Sequence, residues 1–175
     1  AIGRAVAVFV GASPIAVGRD ARVHSPELAG ALVDGIRDEG CDVIDLGLVA
    51  TPMLYFGVES LGARAGVMVT ASHNPGEYNG FKICREHAIP VGEATGLKDI
   101  EALAAERADR PPAARRGGRS SHDVREAYAD HVLALAVERP RLKLAIDCGN
   151  GMAAVGLEPV LARLELDVTR LYFEP

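Results

Sequence analysis

Short apolar runs alternate with helix-forming segments over the first 70 residues of this chain of 175 residues. The apolar runs predict strands at 15–17, 43–46 and 65–70. The intervening segments 25–40 and 51–61 each begin with a serine or threonine followed by proline, which is typical of a helix start, with Ser25 as the expected N-cap. We expect Gly47 to turn the chain between the second strand and the second helix. This alternation predicts an α/β fold with a mixed, mainly parallel sheet and helices on both faces.

The third strand stops abruptly in a polar segment. Residues 67–83 read V-M-V-T-A-S-H-N-P-G-E-Y-N-G-F-K-I, in which N-P-G and N-G are turn-forming sequences. The turns predict that the chain reverses before a further strand that begins at Phe81. Ser72 is therefore predicted to lie just beyond the carboxyl end of a buried strand.

The polar residues of this segment suit phosphoryl transfer. The Ser72 hydroxyl can carry a phosphoryl group, the His73 imidazole can move protons, Asn74 offers an amide donor and the Lys82 ammonium can bind anionic oxygens. The alternative is a turn with incidental polar residues, and S-H-N alone would favour it. The whole string favours the phosphoryl-transfer interpretation.

A guanidinium is predicted to reach the same edge of the sheet. Right-handed crossovers place the carboxyl ends of parallel strands on one edge, so the segments after the three strands should open onto one crevice. Arg19 follows the first strand and can bind phosphate through two parallel hydrogen bonds. The alternative for Arg19 and Asp20 is a local ion pair at the surface.

Composition limits the other classes of function. A net charge of −5 gives no general attraction to nucleic acid or to an anionic membrane, so anion binding must come from a local site. No apolar run approaches the roughly 20 residues that span a bilayer, and we expect a cytoplasmic protein. Three separated cysteines in apolar surroundings predict buried, reduced thiols without a function: Cys41, Cys84 and Cys148.

The second half of the chain predicts a domain boundary. We expect a helix at 1–10, a helix at 97–105, a solvated linker at 107–121 and a helix from 123 to 136 that breaks at residues 138–141. The division is then 1–138 for a first domain and 139–175 for the opening of a second. The later part predicts one β-α-β unit with strands at 142–146 and 168–172 around a helix at 152–164.

A glycine-rich turn within this unit supports an alternative function. Residues 149–154 match the pattern G-x-G-x-x-A after a strand, and Glu174 lies about 20 residues further on, where a ribose contact would be expected. This alternative is a dinucleotide- or nucleotide-binding, or regulatory, α/β module. A purely structural turn is the other interpretation of the same residues.

Three motifs resemble a known enzyme family. T-A-S-H-N-P-G-E-Y-N-G-F-K, V-G-R-D-A-R-V-H-S-P-E-L and D-C-G-N-G are similar to segments of the α-D-phosphohexomutases, in particular the bacterial phosphomannomutase/phosphoglucomutase branch. The resemblance implies that Ser72 carries a phosphate that is passed to a hexose phosphate and recovered from a bisphosphorylated sugar. It also implies that Arg19 and Lys82 stabilise charge, that His73 and Asn74 orient the loop, and, as a weaker correspondence, that Arg22 belongs to the site.

The resemblance also implies partners that these residues do not supply. Members of the family have four domains, so the chain resembles the first domain and the start of the second. Their Mg²⁺ is held by a D-G-D-x-D-R motif that would lie beyond Pro175, which leaves Ser72, through its phosphate, as the metal ligand to be expected here. A hexose 1,6-bisphosphate is the implied intermediate and activator, a phosphosugar is the implied substrate, and residues 1–175 alone are expected to be inactive. The resemblance further implies that a domain outside these residues determines which sugar is preferred.

Overall fold

The computed structural model describes residues 1–136 and 141–175. The predicted boundary between residues 138 and 139 lies outside these ranges. The elements follow one another as α1 (Ile2–Val10), β1 (Ile15–Arg19), α2 (Ser25–Asp38), β2 (Val43–Leu48), α3 (Thr51–Ser60), β3 (Ala65–Val69), β4 (Phe81–Arg85), α4 (Leu97–Arg107), β5 (Arg119–Ser121), α5 (Arg125–Ala134), β6 (Lys143–Asp147), α6 (Ala153–Leu161) and β7 (Asp167–Leu171). Two short 3₁₀ turns, Glu86–Ala88 and Glu93–Thr95, connect β4 to α4.

Five strands form the main sheet in the order β4-β3-β1-β2-β5. β1 lies at the centre and pairs in parallel with both β2 and β3, while β5 adds to β2 in parallel. β4 runs antiparallel to β3, with Phe81 opposite Val69. The prediction of a mixed, mainly parallel sheet is confirmed.

Helices cover both faces of this sheet. One core packs α1, α2 and α4 against the strands, with Val6, Ile36 and Ile100 buried. The other core packs α3 against the opposite face and includes Leu54. β1 alternates between the two cores, as a strand of a doubly covered sheet must: Ile15 and Val17 join the first and Ala16 the second.

The path of the chain reverses at β1. The α2 crossover leads from β1 to β2 on one side, and the α3 crossover returns across the opposite face to β3 on the other side of β1. The segments that follow β1 and β3 therefore begin side by side at one edge of the sheet, where a crevice is expected at the carboxyl ends of these two strands. In open α/β sheets, this reversal is the usual place for a ligand.

Three local predictions were wrong. Gly47 does not turn the chain but lies within β2 at a β-bulge with φ of 65°, where the Asp45 carboxylate accepts its N–H at 2.9 Å. Ser25 is the first residue of α2 rather than its N-cap, and its hydroxyl bonds to Asp20 instead of the helix backbone. The segment predicted as a solvated linker ends in β5, whose three exposed residues carry no apolar alternation that could reveal a strand.

The predicted β-α-β unit in the second half is present. β6 and β7 pair in parallel as a sheet of their own, and α6 connects them. α6 packs against α5 through a small cluster that contains Ala129, Leu133 and Val160. The unit therefore contacts the rest of the described chain through α5 and, at Val155 of α6, through the core beneath α3.

The cysteines are buried and free, as predicted. Burial raises the pKa of the Cys84 thiol to about 11 and also raises the pKa of Cys41. Both thiols are therefore protonated and unreactive near neutral pH. Among the residues that the structure describes, no helix is long and apolar enough to cross a membrane.

The close contact between α1 and α2 leaves no space for a side chain at Gly3. A Cβ atom at this position would overlap the carbonyl oxygen of Leu32 and lie 2.9 Å from the backbone nitrogen of Ile36. Because both neighbours are backbone atoms, we expect Gly3→Ala to lower the free energy of unfolding in urea by about 1 to 3 kcal/mol. The matched control is Gly30→Ala in α2, where nothing lies within 4 Å and the change should stabilise by about 0.5 to 1 kcal/mol. Equal effects at the two positions would contradict the close helix contact.

Candidate functional site

A cavity of about 440 Å³ lies at the carboxyl ends of β1 and β3. Its walls come from the segment after β1, the start of α3, the end of β3, the segment after β3 and the turn before α6. Ser72 and His73 both line it. The crevice expected from the reversal of the sheet is therefore a defined cavity, and it contains the predicted serine.

Ser72 has an unusual backbone conformation. Its φ is 54°, in the left-handed region that non-glycine residues seldom adopt. Its N–H donates to the Thr70 Oγ1 at 3.0 Å, and its own Oγ lies 3.3 Å from the His73 Nδ1. The side chain is exposed, so the hydroxyl is held at the surface of the cavity and is accessible to a ligand.

The serine loop, defined here as residues 70–80, lacks a core of its own. Every side chain from residue 72 to 78 is exposed. The Arg22 guanidinium instead reaches into the loop and donates to the backbone carbonyls of Ser72 at 2.9 Å, Asn74 at 2.7 Å, Pro75 at 2.7 Å and Tyr78 at 3.1 Å. The loop is therefore bound through its backbone, by a side chain that follows the neighbouring strand.

A buried carboxylate supports this arginine. Asp20 is only 5% exposed and accepts the Arg22 Nε at 3.2 Å as well as the Arg22 backbone N–H at 3.1 Å. The Ser25 hydroxyl also donates to Asp20, and Ser25 in turn accepts the Asn79 side-chain amide at 2.9 Å. Both ends of the serine loop are thus connected to one carboxylate.

The other predicted site residues have different placements. Arg19 is the last residue of β1, opposite Val69, and its Nη1 donates to the Asp20 carbonyl at 3.3 Å; it does not line the cavity. Lys82 lies in β4 opposite Met68, is exposed, and makes no ion pair among the described residues. Asn74 contributes its carbonyl to Arg22, while its side chain is exposed.

The sequence predicted Arg22 only as a weaker correspondence and did not predict Asp20, Ser25 or Asn79 as site residues, whereas the structure brings all four into the hydrogen bonds that hold the serine loop. The signal was present in the string R-D-A-R-V-H-S, which places an acid, a guanidinium and a hydroxyl directly after a strand. What the string could not show is that β1 and β3 are neighbours, which brings these groups against the serine loop.

The glycine-rich turn contributes to the same cavity. Asn150, Gly151 and Met152 line the cavity beside Ser72, and the Asn150 side chain donates to the Glu174 carbonyl at 2.7 Å. Glu174 thus helps to fix the turn through its backbone. The structure offers no observation in favour of the nucleotide-binding alternative.

The acidic and metal-binding side chains of the described residues do not converge on a second site. In residues 1–136 and 141–175, no group of three or more His, Cys, Asp or Glu side chains could hold a metal ion. A larger cavity of about 920 Å³ lies between β2 and α6, but its carboxylates are paired. The pairs are Asp45 with Arg119, Asp123 with Arg125, Glu126 with Arg163 and Glu158 with Arg170. Hydrogen bonds from Arg125 hold the pKa of Asp123 at about 2, so this carboxyl is ionised near neutral pH.

Comparison with known proteins links the site to one family. The model of the family described as phosphoglucomutase/phosphomannomutase, alpha/beta/alpha domain I, matches residues 1–110. A phosphomannomutase of Salmonella montevideo is 42% identical over 168 residues, which cover 94% of this chain and 37% of that protein. A protein of Xanthomonas campestris named phosphohexose mutases is 39% identical over 180 residues, covering 99% of this chain and 39% of its own length. A crystal structure of a phosphoglucomutase/phosphomannomutase family protein from Burkholderia thailandensis has a TM-score of 0.84 and 32% identity, covering 99% of this chain and 39% of that one. The chain thus spans less than two fifths of the length of these relatives.

The hydrogen bond to Thr70 predicts how Ser72 is held. Thr70→Val removes the hydroxyl that accepts the Ser72 N–H, in a side chain that is only 8% exposed. We expect faster hydrogen exchange at the Ser72 amide and a free energy of unfolding lowered by about 1 kcal/mol. Thr70→Ser, which keeps the acceptor, is the control and should exchange like the wild type. Unchanged Ser72 exchange in Thr70→Val would show that this bond does not hold the serine.

Proposed function

Because the chain belongs to the phosphoglucomutase/phosphomannomutase family, we propose that it is the N-terminal part of a phosphohexomutase. In this proposal, the full-length protein interconverts the 1-phosphate and the 6-phosphate of mannose or glucose. Ser72 carries the phosphoryl group, and a hexose 1,6-bisphosphate is the intermediate and activator. A phosphosugar is the substrate, and neither nucleic acid nor a membrane is a partner.

The placement of the Ser72 hydroxyl is the observation that carries the proposal. It is exposed, lies at a cavity where the sheet reverses, and belongs to a loop that is fixed by hydrogen bonds to its backbone. A hydroxyl that passes a phosphoryl group back and forth must be reachable and held in a defined position, because phosphoryl transfer depends chiefly on positioning and electrostatics.

The proposed reaction has two balanced steps. Phosphoserine first donates its phosphoryl group to the free hydroxyl of the sugar monophosphate: the bond from phosphorus to the serine oxygen breaks, a bond to the sugar oxygen forms, and the sugar hydroxyl proton passes to the serine oxygen through a base. The bisphosphate then returns its other phosphoryl group to Ser72. The product is the isomeric monophosphate, and the phosphoserine is restored.

The proposed roles of the other residues follow from their positions. Lys82 is an exposed ammonium without an ion pair among the described residues, so it is available to a phosphate. Arg19 ends β1 at the same edge of the sheet and is proposed to stabilise charge near the phosphoserine. His73, with its Nδ1 3.3 Å from the serine oxygen, and Asn74 are proposed to orient the loop.

The proposed metal requires residues beyond those described. Mg²⁺ prefers oxygen ligands in octahedral geometry, and the described side chains form no such set. A phosphate on Ser72 would supply one oxygen, and the remaining ligands would have to come from elsewhere in the full-length protein. When bound, the ion would neutralise phosphate charge.

The proposed division into domains places residues 1–138 in domain I and 139–175 in the first β-α-β unit of domain II. Two observations support it: β6 and β7 form a sheet separate from the five-stranded one, and the family model matches residues within the first part. The cytoplasm remains the proposed location.

Substitution of the serine tests the proposal directly. In the full-length protein, we expect Ser72→Ala to abolish interconversion of hexose 1-phosphate and 6-phosphate, because no oxygen remains to accept the phosphoryl group. The assay is a coupled measurement of glucose 6-phosphate formed from glucose 1-phosphate, repeated with mannose 1-phosphate. Ser60→Ala, at the exposed end of α3, is the control and should keep wild-type turnover. Retained turnover in Ser72→Ala would reject the proposed function.

Residues 1–175 alone should fold around the serine cavity but lack turnover. Groups that bind a metal and the distal phosphate stabilise the transition state itself, and the relatives are more than twice as long as this chain. We expect no conversion by the purified chain under conditions where the full-length protein is active. Circular dichroism and urea unfolding would establish that the chain is folded. Turnover at a rate like that of the complete enzyme, and dependent on Ser72, would contradict this expectation.

A further inference from the structure

We propose that Arg22 is a positioning residue, which fixes the serine loop in the conformation that presents Ser72 and does not bind the substrate phosphate. The inference rests on the proposed function and adds to it a residue, supported by Asp20, Ser25 and Asn79, whose task is to hold the loop.

The serine loop needs support from outside itself. Its side chains from residue 72 to 78 face solvent, including Tyr78, which is 58% exposed. Its internal backbone bonds are few: the Thr70 N–H donates to the Gly80 carbonyl at 2.9 Å across the base of the loop, and within the loop the Asn74 N–H donates to the Ala71 carbonyl and the Tyr78 N–H to the Pro75 carbonyl, both at 3.1 Å. Because the left-handed conformation of Ser72 is also unfavourable, the loop would sample other conformations without further bonds.

Arg22 supplies those bonds with its full set of donors. A guanidinium carries five N–H groups. The Nη1 donates to Pro75 and Tyr78, the Nη2 donates to Ser72 and Asn74, and the Nε donates to Asp20. The five contacts account for the five donors, so Arg22 has none left for a phosphate oxygen. This assignment separates Arg22 from Arg19 and Lys82, which are proposed to stabilise charge.

The Asp20 carboxylate connects both ends of the loop. Through Arg22 it holds residues 72–78, and through the Ser25 hydroxyl it holds Asn79, whose Oδ1 accepts the Gly80 N–H at 2.8 Å. Ser25 is fully buried and Asp20 nearly so. Buried polar groups that satisfy one another in this way fix one arrangement, because breaking any bond leaves a partner unsatisfied away from water.

A lysine cannot replace this arginine. An ammonium has three donors around a single nitrogen, so it cannot reach four carbonyls and a carboxylate as the planar guanidinium does. The Ser72 oxygen would then lose its fixed position, and a displacement of about 1 Å can cost about 100-fold in rate. The substrate contacts would remain, so the loss should fall on kcat rather than on KM.

The experiment compares Arg22→Lys with a matched control in the full-length protein. The control is Arg37→Lys, whose guanidinium also donates to a backbone carbonyl, that of Gly117 at 2.9 Å, and pairs with a carboxylate, that of Asp34 at 3.6 Å, outside the serine cavity. We expect Arg22→Lys to lower kcat by about 10- to 100-fold with KM nearly unchanged. Amide hydrogen exchange across residues 72–80 should accelerate. Arg37→Lys should leave kcat, KM and the hydrogen exchange across residues 72–80 as in the wild type.

A second pair of measurements covers the case in which Arg22→Lys does not fold. Asn79→Ala removes the bond to Ser25 together with the Oδ1 that accepts the Gly80 N–H, so it should accelerate exchange at residues 78–80 and lower kcat. Arg22→Ala, with added guanidinium at concentrations far below those that unfold the protein, should regain part of its lost turnover.

Three results would overturn the inference: wild-type kcat and loop exchange in Arg22→Lys, a raised KM at unchanged kcat in that variant, or unchanged exchange at residues 78–80 in Asn79→Ala. The hydrogen-exchange readout requires no enzymatic activity. Activity in Ser72→Ala would reject the proposed function. An inactive Ser72→Ala variant together with a fully active Arg22→Lys variant would reject only the role of Arg22.

Discussion

The parallel pairing of β1 with both β2 and β3 is the constraint on which the rest of the structure depends. It places β1 at the centre of the sheet, buried from both faces, and it requires the two crossovers to lie on opposite faces. The segments after β1 and β3 consequently leave the sheet side by side. The crevice in which Ser72 lies follows from this topology, and residues 150–152 and Pro175 of the second unit add a further wall to the cavity.

Burial of the Asp20 carboxylate explains how an exposed loop becomes ordered at this edge. A carboxylate that is withdrawn from water needs charged and hydrogen-bonding partners, and Asp20 obtains them from Arg22 and Ser25. Those partners then extend the order outwards to the backbone of the serine loop. The cost of burying one charge is thereby offset by bonds that also fix the serine, so the stability of this edge and the proposed chemistry depend on the same groups.

The sequence predicts the layers of this fold well and their fine geometry poorly. The strands β1 and β3 are found because their apolar residues are buried on both faces, and β2 is found through an apolar run in which Val43 and Leu46 are buried. In contrast, Arg119–Ser121 is exposed and has no such apolar run. Gly47 illustrates a second limit, since a glycine with positive φ suits a turn and a bulge equally well. In the site, Ser72 is identified by the residues around it in the sequence. Which of Arg19 and Arg22 bonds to the serine loop depends, however, on which strand lies next to β1. Until that neighbouring strand is known, the sequence does not show which of these two arginines reaches the loop.

The turn of residues 149–152 connects the second sheet with the serine cavity. It forms part of the wall of the serine cavity, although β6 and β7 share no strand with the main sheet. The described residues therefore hold the serine from the β1 side, through Arg22, and approach it from the second unit through this turn and Pro175. A site built in this way fixes its serine at one edge of the main sheet and leaves the opposite wall to a separate unit, which suits the proposed reaction, in which the intermediate presents two different phosphates to one serine. Because the positioning of Ser72 uses only groups within residues 20–80, it is independent of the groups that the proposed reaction requires for binding and turning a sugar.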